Sequence, residues 1–188
     1  MPRPEPAAAD ASPQATSGPQ IVWQGRHLHM ARDGRWEFAT RPVKRPAVGI
    51  VAVTDQGALL LVEQHRPPVG GTVVELPAGL AGDLPGAEQE PLVEAARREL
   101  QEETGYEAQR WTELGMGYSS PGLTDESIML FLAEGLRKTG PGGGDGDESI
   151  VVHEVPLPQL DGWLADRAAR IDFKVYAGVY LARRGGLQ

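Results

Sequence analysis

Within the stretch RRELQEETGY, Arg97 to Tyr106, stand three glutamates, Glu99, Glu102 and Glu103, with two arginines before them and Gly105 after. On a helix, residues three and four apart share a face, so these carboxylates would project together within a single turn. Gathered carboxylates are the oxygen donors that hold a hard divalent cation. They can equally form a solvated face, since repulsion between exposed like charges at this spacing costs only roughly 0.2–0.5 kcal/mol. Arg98, at i to i+4 from Glu102, offsets part of even that. Charge alone leaves both readings standing, and the surroundings must decide.

Those surroundings are ordered. A strand ending at Glu75-Leu76-Pro77-Ala78-Gly79 is followed by a Gly- and Pro-rich loop, then Glu90, then the glutamate helix. In this order the segment resembles the signature of the Nudix hydrolases: a glycine, a glutamate, then Arg-Glu-apolar-x-Glu-Glu-x-Gly-apolar. Arg98, Glu99, Leu100, Glu102, Glu103, Gly105 and Tyr106 match its second half, and Glu90 stands eight positions before Arg98. Gly79 departs from it, lying eleven positions before Glu90 where the signature has six. The loop thus carries about five extra residues, an insertion of small closure entropy that leaves the helix spacing intact.

The resemblance implies an α+β protein, a Nudix α/β/α sandwich with a mixed central sheet, that hydrolyses a nucleoside diphosphate linked to another group. It implies Mg²⁺ (or Mn²⁺), two or three ions, and attack on the diphosphate by a metal-activated water. Glu99 and Glu103 would be the main side-chain ligands, Glu102 a supporting one and the Ala78 carbonyl a backbone ligand. Arg98 would orient the glutamates through charge-assisted hydrogen bonds.

Further resemblances narrow the substrate. Pro121, sixteen positions after Gly105, resembles the proline that marks the ADP-ribose pyrophosphatase subgroup. By similarity, Arg66 would lie near the phosphates or terminal ribose and Glu75 near the ribose. Against these stand a loop-fixing hydrogen bond for Arg66 and a strand-edge charge for Glu75. Trp36-Glu37 resembles a pair that reads adenine, contributed by a second subunit through exchanged N-terminal strands; core or dimer-interface packing is the other reading of Trp36. Glu148, in GGGDGDESI, resembles the glutamate of a mobile acidic loop and would be the general base. Together these imply cleavage of ADP-ribose to AMP and ribose 5-phosphate by a homodimer. The alternatives are a GDP- or UDP-sugar pyrophosphatase and, from another class, a Nudix-fold ligand sensor or interaction module that does not hydrolyse.

The whole chain agrees with such a site. With 188 residues and 40% hydrophobic content it has room for one domain with a core. A net charge of −8 argues against a nucleic-acid surface. The absence of cysteine excludes disulfides and thiolate sites, leaving oxygen or histidine ligands for any metal. No apolar run approaches the roughly 18 residues of a membrane span, and the N-terminus lacks the apolar core of a secretory signal, so a cytoplasmic protein is expected.

Residues 1–19 read as a disordered tail, 20–44 as a small antiparallel strand-exchange sheet with a turn at Asp33-Gly34, and 45–184 as the Nudix domain. AVGIVAVT and ALLLVEQ read as a core hairpin through Asp55-Gln56-Gly57. TVVEL should stop at Pro77. The helix should run from about Pro91 to Thr104, and ESIMLFLAEGL and SIVVHEV read as strands around a Gly-rich loop expected to be mobile. Two amphipathic helices close the chain, the last burying Phe173, Tyr176, Val179 and Tyr180.

Overall fold

A computed structural model of the protein describes residues 18–144, 149–167 and 170–187. They form two compact units, residues 18–42 with 120–125, and the remainder from residue 43 onward.

In the first unit β1 (Gln20–Gln24), β2 (His29–Asp33) and β3 (Trp36–Thr40) form the expected antiparallel sheet in the order β1-β2-β3. Asp33 pairs with Trp36, so the two-residue turn is Gly34-Arg35, one position beyond the reading from sequence, with Gly34 supplying the positive φ of 58°. Residues 120–125 join this sheet: Ala39 N–H donates to the Leu123 carbonyl at 2.8 Å, and Thr40 Oγ1 donates to Asp125 Oδ2 at 2.8 Å.

The second unit holds β4 (Ala47–Ala52), β5 (Ala58–Arg66), β6 (Gly71–Glu75), β7 (Ala78–Leu80), α1 (Leu92–Thr104), β8 (Tyr106–Tyr118), β9 (Ser127–Lys138), β10 (Val151–Pro156), α2 (Leu160–Asp166) and α3 (Phe173–Arg184). One sheet runs β7-β4-β9-β8 and is mixed, because β4 pairs parallel with β9 and antiparallel with β7. The other runs β10-β5-β6 and is antiparallel.

The central strands are apolar on both faces because both faces are covered. Val48, Ile50 and Ala52 of β4, Leu60 of β5 and Phe131 of β9 pack with Ala95, Ala96 and Leu100 of α1. Their alternate neighbours Val51, Leu59, Leu61, Leu130 and Leu132 pack with Leu160 and Leu164 of α2 and Val175 and Val179 of α3. Each Val, Leu, Ile or Phe side chain among them contributes roughly 1.5–3 kcal/mol on burial. This is the expected sandwich, and it makes α1 a rigid carrier for whatever its polar face holds.

Three expectations need correction. The hairpin through Asp55-Gln56-Gly57 turns as foreseen, but its strands part into the two sheets after the Val53–Leu59 bridge. Each is apolar enough to be a central strand of its own. β8, thirteen residues long, was not anticipated, since Glu107, Gln109, Arg110 and Glu113 give it the polarity of a loop on an edge strand with much exposed surface. In α3, Val179 is buried as expected, but Phe173, Tyr176 and Tyr180 are exposed, and Val175, Gly178 and Ala182 are buried instead. Small residues win that face because the helix lies close to the sheet: a Cβ on Gly178 would come 2.8 Å from both Leu76 Cδ1 and Val51 Cγ2.

Among the described residues no helix is long and apolar enough to cross a membrane.

Candidate active site

α1 begins after Pro91 and ends at Gly105, whose left-handed φ of 73° lets its N–H return to the Gln101 carbonyl at 2.8 Å. Between these stops the helix turns Glu99 and Glu103 inward, at 9% and 5% exposure. β4 holds β7 beside them, with Gly49 opposite Ala78 and Val48 opposite Gly79. Pro77 ends the β6 ladder as foreseen, and its carbonyl accepts from Ile50 N–H at 2.8 Å. Ala78 N–H donates to Glu103 Oε2 at 3.0 Å. Gly79 leaves room for the Glu99 carboxyl: a Cβ there would fall 1.9 Å from Glu99 Cδ.

Arg98 ties the cluster together. Its Nη1 donates to Glu99 Oε1 at 2.8 Å and to Glu102 Oε2 at 3.1 Å. Its Nη2 donates to the Leu80 carbonyl at 3.0 Å and to Asp83 Oδ1 and Glu90 Oε1, each at 3.2 Å. Burial works against its charge, but Glu99, Glu90 and Glu102 outweigh that and hold the guanidinium protonated well above its ordinary value. Burial pushes the Glu99 carboxyl up to about 7, against the attraction of Arg98 and with repulsion from Glu102 adding to the rise. A desolvated carboxyl, with further carboxylates nearby, is a place where an added cation is favoured.

Among the described residues, no three acidic or histidine side chains converge as they stand on a point that could hold a metal ion. Arg98 engages both Glu99 and Glu102. The donors nevertheless suit a hard divalent ion: all are oxygen, they are close in sequence, and Gly79 keeps side-chain bulk away from one of them.

Of the other sequence candidates, Arg66 and Glu75 pair with each other. Arg66 Nε and Nη2 donate to Glu75 Oε1 and Oε2 at 2.6 and 3.0 Å, a two-pronged pair between the ends of β5 and β6. Glu75 is 3% exposed, which removes its reading as a strand-edge charge. Trp36 and Glu37 are exposed on β3, and Pro121 is exposed in the 120–125 segment, all in the first unit. Glu148 lies outside the described residues, as do its neighbours Asp145 and Asp147.

Two features escaped sequence reasoning. Glu90, recognised only by spacing, binds Gly82 N–H at 2.9 Å as well as Arg98, so its carboxylate links the loop to the helix. The Gly-rich segment after β9, expected to be mobile, is docked up to Gly144. Gly143 and Gly144 N–H donate to the carbonyls of Glu103 and Glu102 at 2.8 and 3.1 Å, and Thr139 and Gly140 N–H to that of Gly105. The signal was the glycine run itself, since a Cβ on Gly142 would come 2.4 Å from the Thr104 carbonyl carbon.

The carboxylate row on α1, seated against β7 of this sandwich, is a set of oxygen donors suited to divalent-ion chemistry. The chain belongs to the Nudix family, whose NUDIX domain matches residues 43–179. An ADP-ribose pyrophosphatase of Bacillus subtilis (strain 168) is 40% identical over 148 residues, 78% of this chain and 77% of the relative. A methanol dehydrogenase activator of Bacillus methanolicus is 36% identical over 148 residues, with the same shares covered. The crystal structure of an ADP compounds hydrolase shares the fold, with a TM-score of 0.73 over 94% of this chain and 96% of that one, at 23% identity.

Proposed function

We propose that this Nudix hydrolase is a cytoplasmic, Mg²⁺-dependent pyrophosphatase that cleaves ADP-ribose to AMP and ribose 5-phosphate. The observation that carries the reading is the buried Glu99–Glu103 pair, Glu99 seated against Gly79 and held by Arg98, Glu103 held by Ala78 N–H. The choice of ADP-ribose follows the Bacillus subtilis relative and the position of Pro121.

Glu99, Glu103, Glu102 and the Ala78 carbonyl would hold the ions. Bound there, divalent ions neutralise the diphosphate and lower the pKa of a water nucleophile. Arg98 keeps Glu99 and Glu102 from repelling each other out of line. Ala78 N–H fixes the rotamer of Glu103. Glu148 would take the proton of the attacking water, a role resting on its resemblance alone. Arg66 would meet the phosphates or the terminal ribose, with Glu75 holding its fork in orientation.

The base would be read by Trp36 and Glu37 of a second subunit in a strand-exchanged homodimer. Every residue of β1 is exposed, including Ile21, Val22 and Trp23 on an edge strand, the type of edge that pairing with another chain covers.

A substrate panel tests this: ADP-ribose, GDP-mannose, UDP-glucose, NADH and diadenosine polyphosphates, each with Mg²⁺ or Mn²⁺, with products separated by chromatography. ADP-ribose should be among the best substrates. A preference for GDP-mannose or UDP-glucose would move the assignment to another nucleotide sugar, and no turnover of any would favour an interaction module.

A further inference from the structure

The loop between β7 and α1 carries the five extra residues, and one side chain fastens it. Arg45 stands two residues before β4, the strand on which β7 lies, with Ala47 opposite Leu80. From there it reaches the far end of the loop: Nη1 donates to the Glu88 carbonyl at 3.1 Å and to Gln89 Oε1 at 3.4 Å, and Nη2 donates to the Glu90 carbonyl. The near limb of the loop lies on the stem of the same arginine. Gly82, at φ +75°, sits so close that a Cβ would come 2.8 Å from Arg45 Cδ and 2.9 Å from the Glu88 carbonyl oxygen. Both limbs therefore close around Arg45. Its Nε is buried with no hydrogen-bond partner among the described residues, an unsatisfied donor that the contacts of its other nitrogens must offset.

What the clamp holds is Glu90. The backbone of Glu90 is bound by Arg45, and its carboxylate by Gly82 N–H and Arg98. Arg98 in turn holds Glu99 and Glu102. We propose that Arg45 is a positioning residue for the metal site, fixing the expanded loop so that Glu90 stays in reach of Arg98 and the ligand carboxylates stay aligned. The inference rests on the metal-dependent reading above, and goes beyond it by assigning a residue outside the signature to the affinity for the ion.

The test uses Mn²⁺ alone, titrated into wild type, Arg45→Ala and Arg45→Lys, with free Mn²⁺ followed by electron paramagnetic resonance. Amide exchange at Gly82 and thermal unfolding are recorded on the same samples. Partners that orient metal ligands typically change affinity about 10–100-fold when removed. The expected result is a Mn²⁺ Kd raised at least about tenfold in Arg45→Ala and less in Arg45→Lys, which keeps the charge but loses the planar fork that spans Glu88 and Glu90. Gly82 should exchange faster in both. Faster exchange with unchanged Mn²⁺ affinity would make Arg45 a loop staple only and overturn the proposal. Should Arg45→Ala not fold, Arg45→Lys decides alone: weaker Mn²⁺ binding supports the proposal and wild-type affinity overturns it. Wild type that takes up no Mn²⁺ would instead bring down the metal reading itself, and this inference with it.

Discussion

Gly79→Ala isolates the seat of Glu99. The added methyl would stand 1.9 Å from Glu99 Cδ, 2.0 Å from Oε1 and 2.4 Å from Oε2. Carbon atoms in contact sit about 3.5–4.0 Å apart, so the carboxyl must recede by about 1.5 Å or more. It can do so, because it is the far end of a flexible side chain and the clash involves no backbone. The fold should therefore survive, with a melting temperature within a few degrees of wild type. Metal-free protein should lose little, since leaving the pocket relieves the desolvation that pushes Glu99 up to about 7. Function should suffer far more: a displacement of 1 Å at a reacting centre can cost about 100-fold, and Mg²⁺ accepts oxygens only close to about 2.0–2.1 Å. We expect kcat/KM for ADP-ribose at fixed Mg²⁺ to fall about 100-fold, measured by phosphate release from the two phosphomonoester products with added phosphatase. If Gly79→Ala retains kcat/KM and Mn²⁺ affinity within twofold, Glu99 is not a ligand in the geometry described.

Other outcomes follow from the same contacts. Arg66→Ala strands the buried Glu75 carboxylate and should lower urea-unfolding stability by about 1–3 kcal/mol, whereas Arg66→Ala combined with Glu75→Leu should recover part of it; a loss below about 0.5 kcal/mol would show the pair to be ornamental. In metal-free protein the raised Glu99 pKa means the folded state binds more protons than the unfolded between about 4.5 and 7. Its contribution is fully present below pH 4.5 and lost as pH rises through about 7, up to about 3 kcal/mol; unfolding with EDTA should show this slope and excess Mg²⁺ should flatten it. Gly142→Ala meets backbone at 2.4 Å from a φ of +68° and should destabilise by about 2 kcal/mol or more, with faster amide exchange at Gly143 and Gly144; unchanged exchange would contradict the docking of that segment on α1.

The site was legible where function constrains spacing on one helix. Arg98, Glu99, Glu102 and Glu103 lie within six consecutive residues of α1, and Gly105 ends it where a left-handed residue is needed. What sequence could not show is contact between distant segments. Arg45 lies 45 residues from Glu90, and nothing around it differs from an ordinary arginine before a strand. Arg66 and Glu75 were picked separately as substrate contacts, yet their side chains pair with each other, although the register sets Arg66 opposite Gly71 and Glu75 opposite Val62. In the fold, the apolar runs of β4 and β5 were recognised, but an apolar strand does not announce which neighbour it takes. The final helix misled for a related reason. Aromatic side chains carry the larger apolar surface, so Phe173, Tyr176 and Tyr180 dominate the pattern, whereas close approach to the sheet selects Gly178 and Ala182.

The most direct test of the central claim is Glu103→Gln assayed on ADP-ribose with saturating Mg²⁺, the products identified by ³¹P NMR. The amide oxygen of Gln can still accept from Ala78 N–H, so the change removes a charge and leaves the 3.0 Å hydrogen bond and the packing in place. The account predicts conversion to AMP and ribose 5-phosphate by wild type and a kcat at least about 100-fold lower for the variant, about 2.7 kcal/mol of lost transition-state stabilisation. A variant that turns over ADP-ribose at the wild-type rate would contradict it.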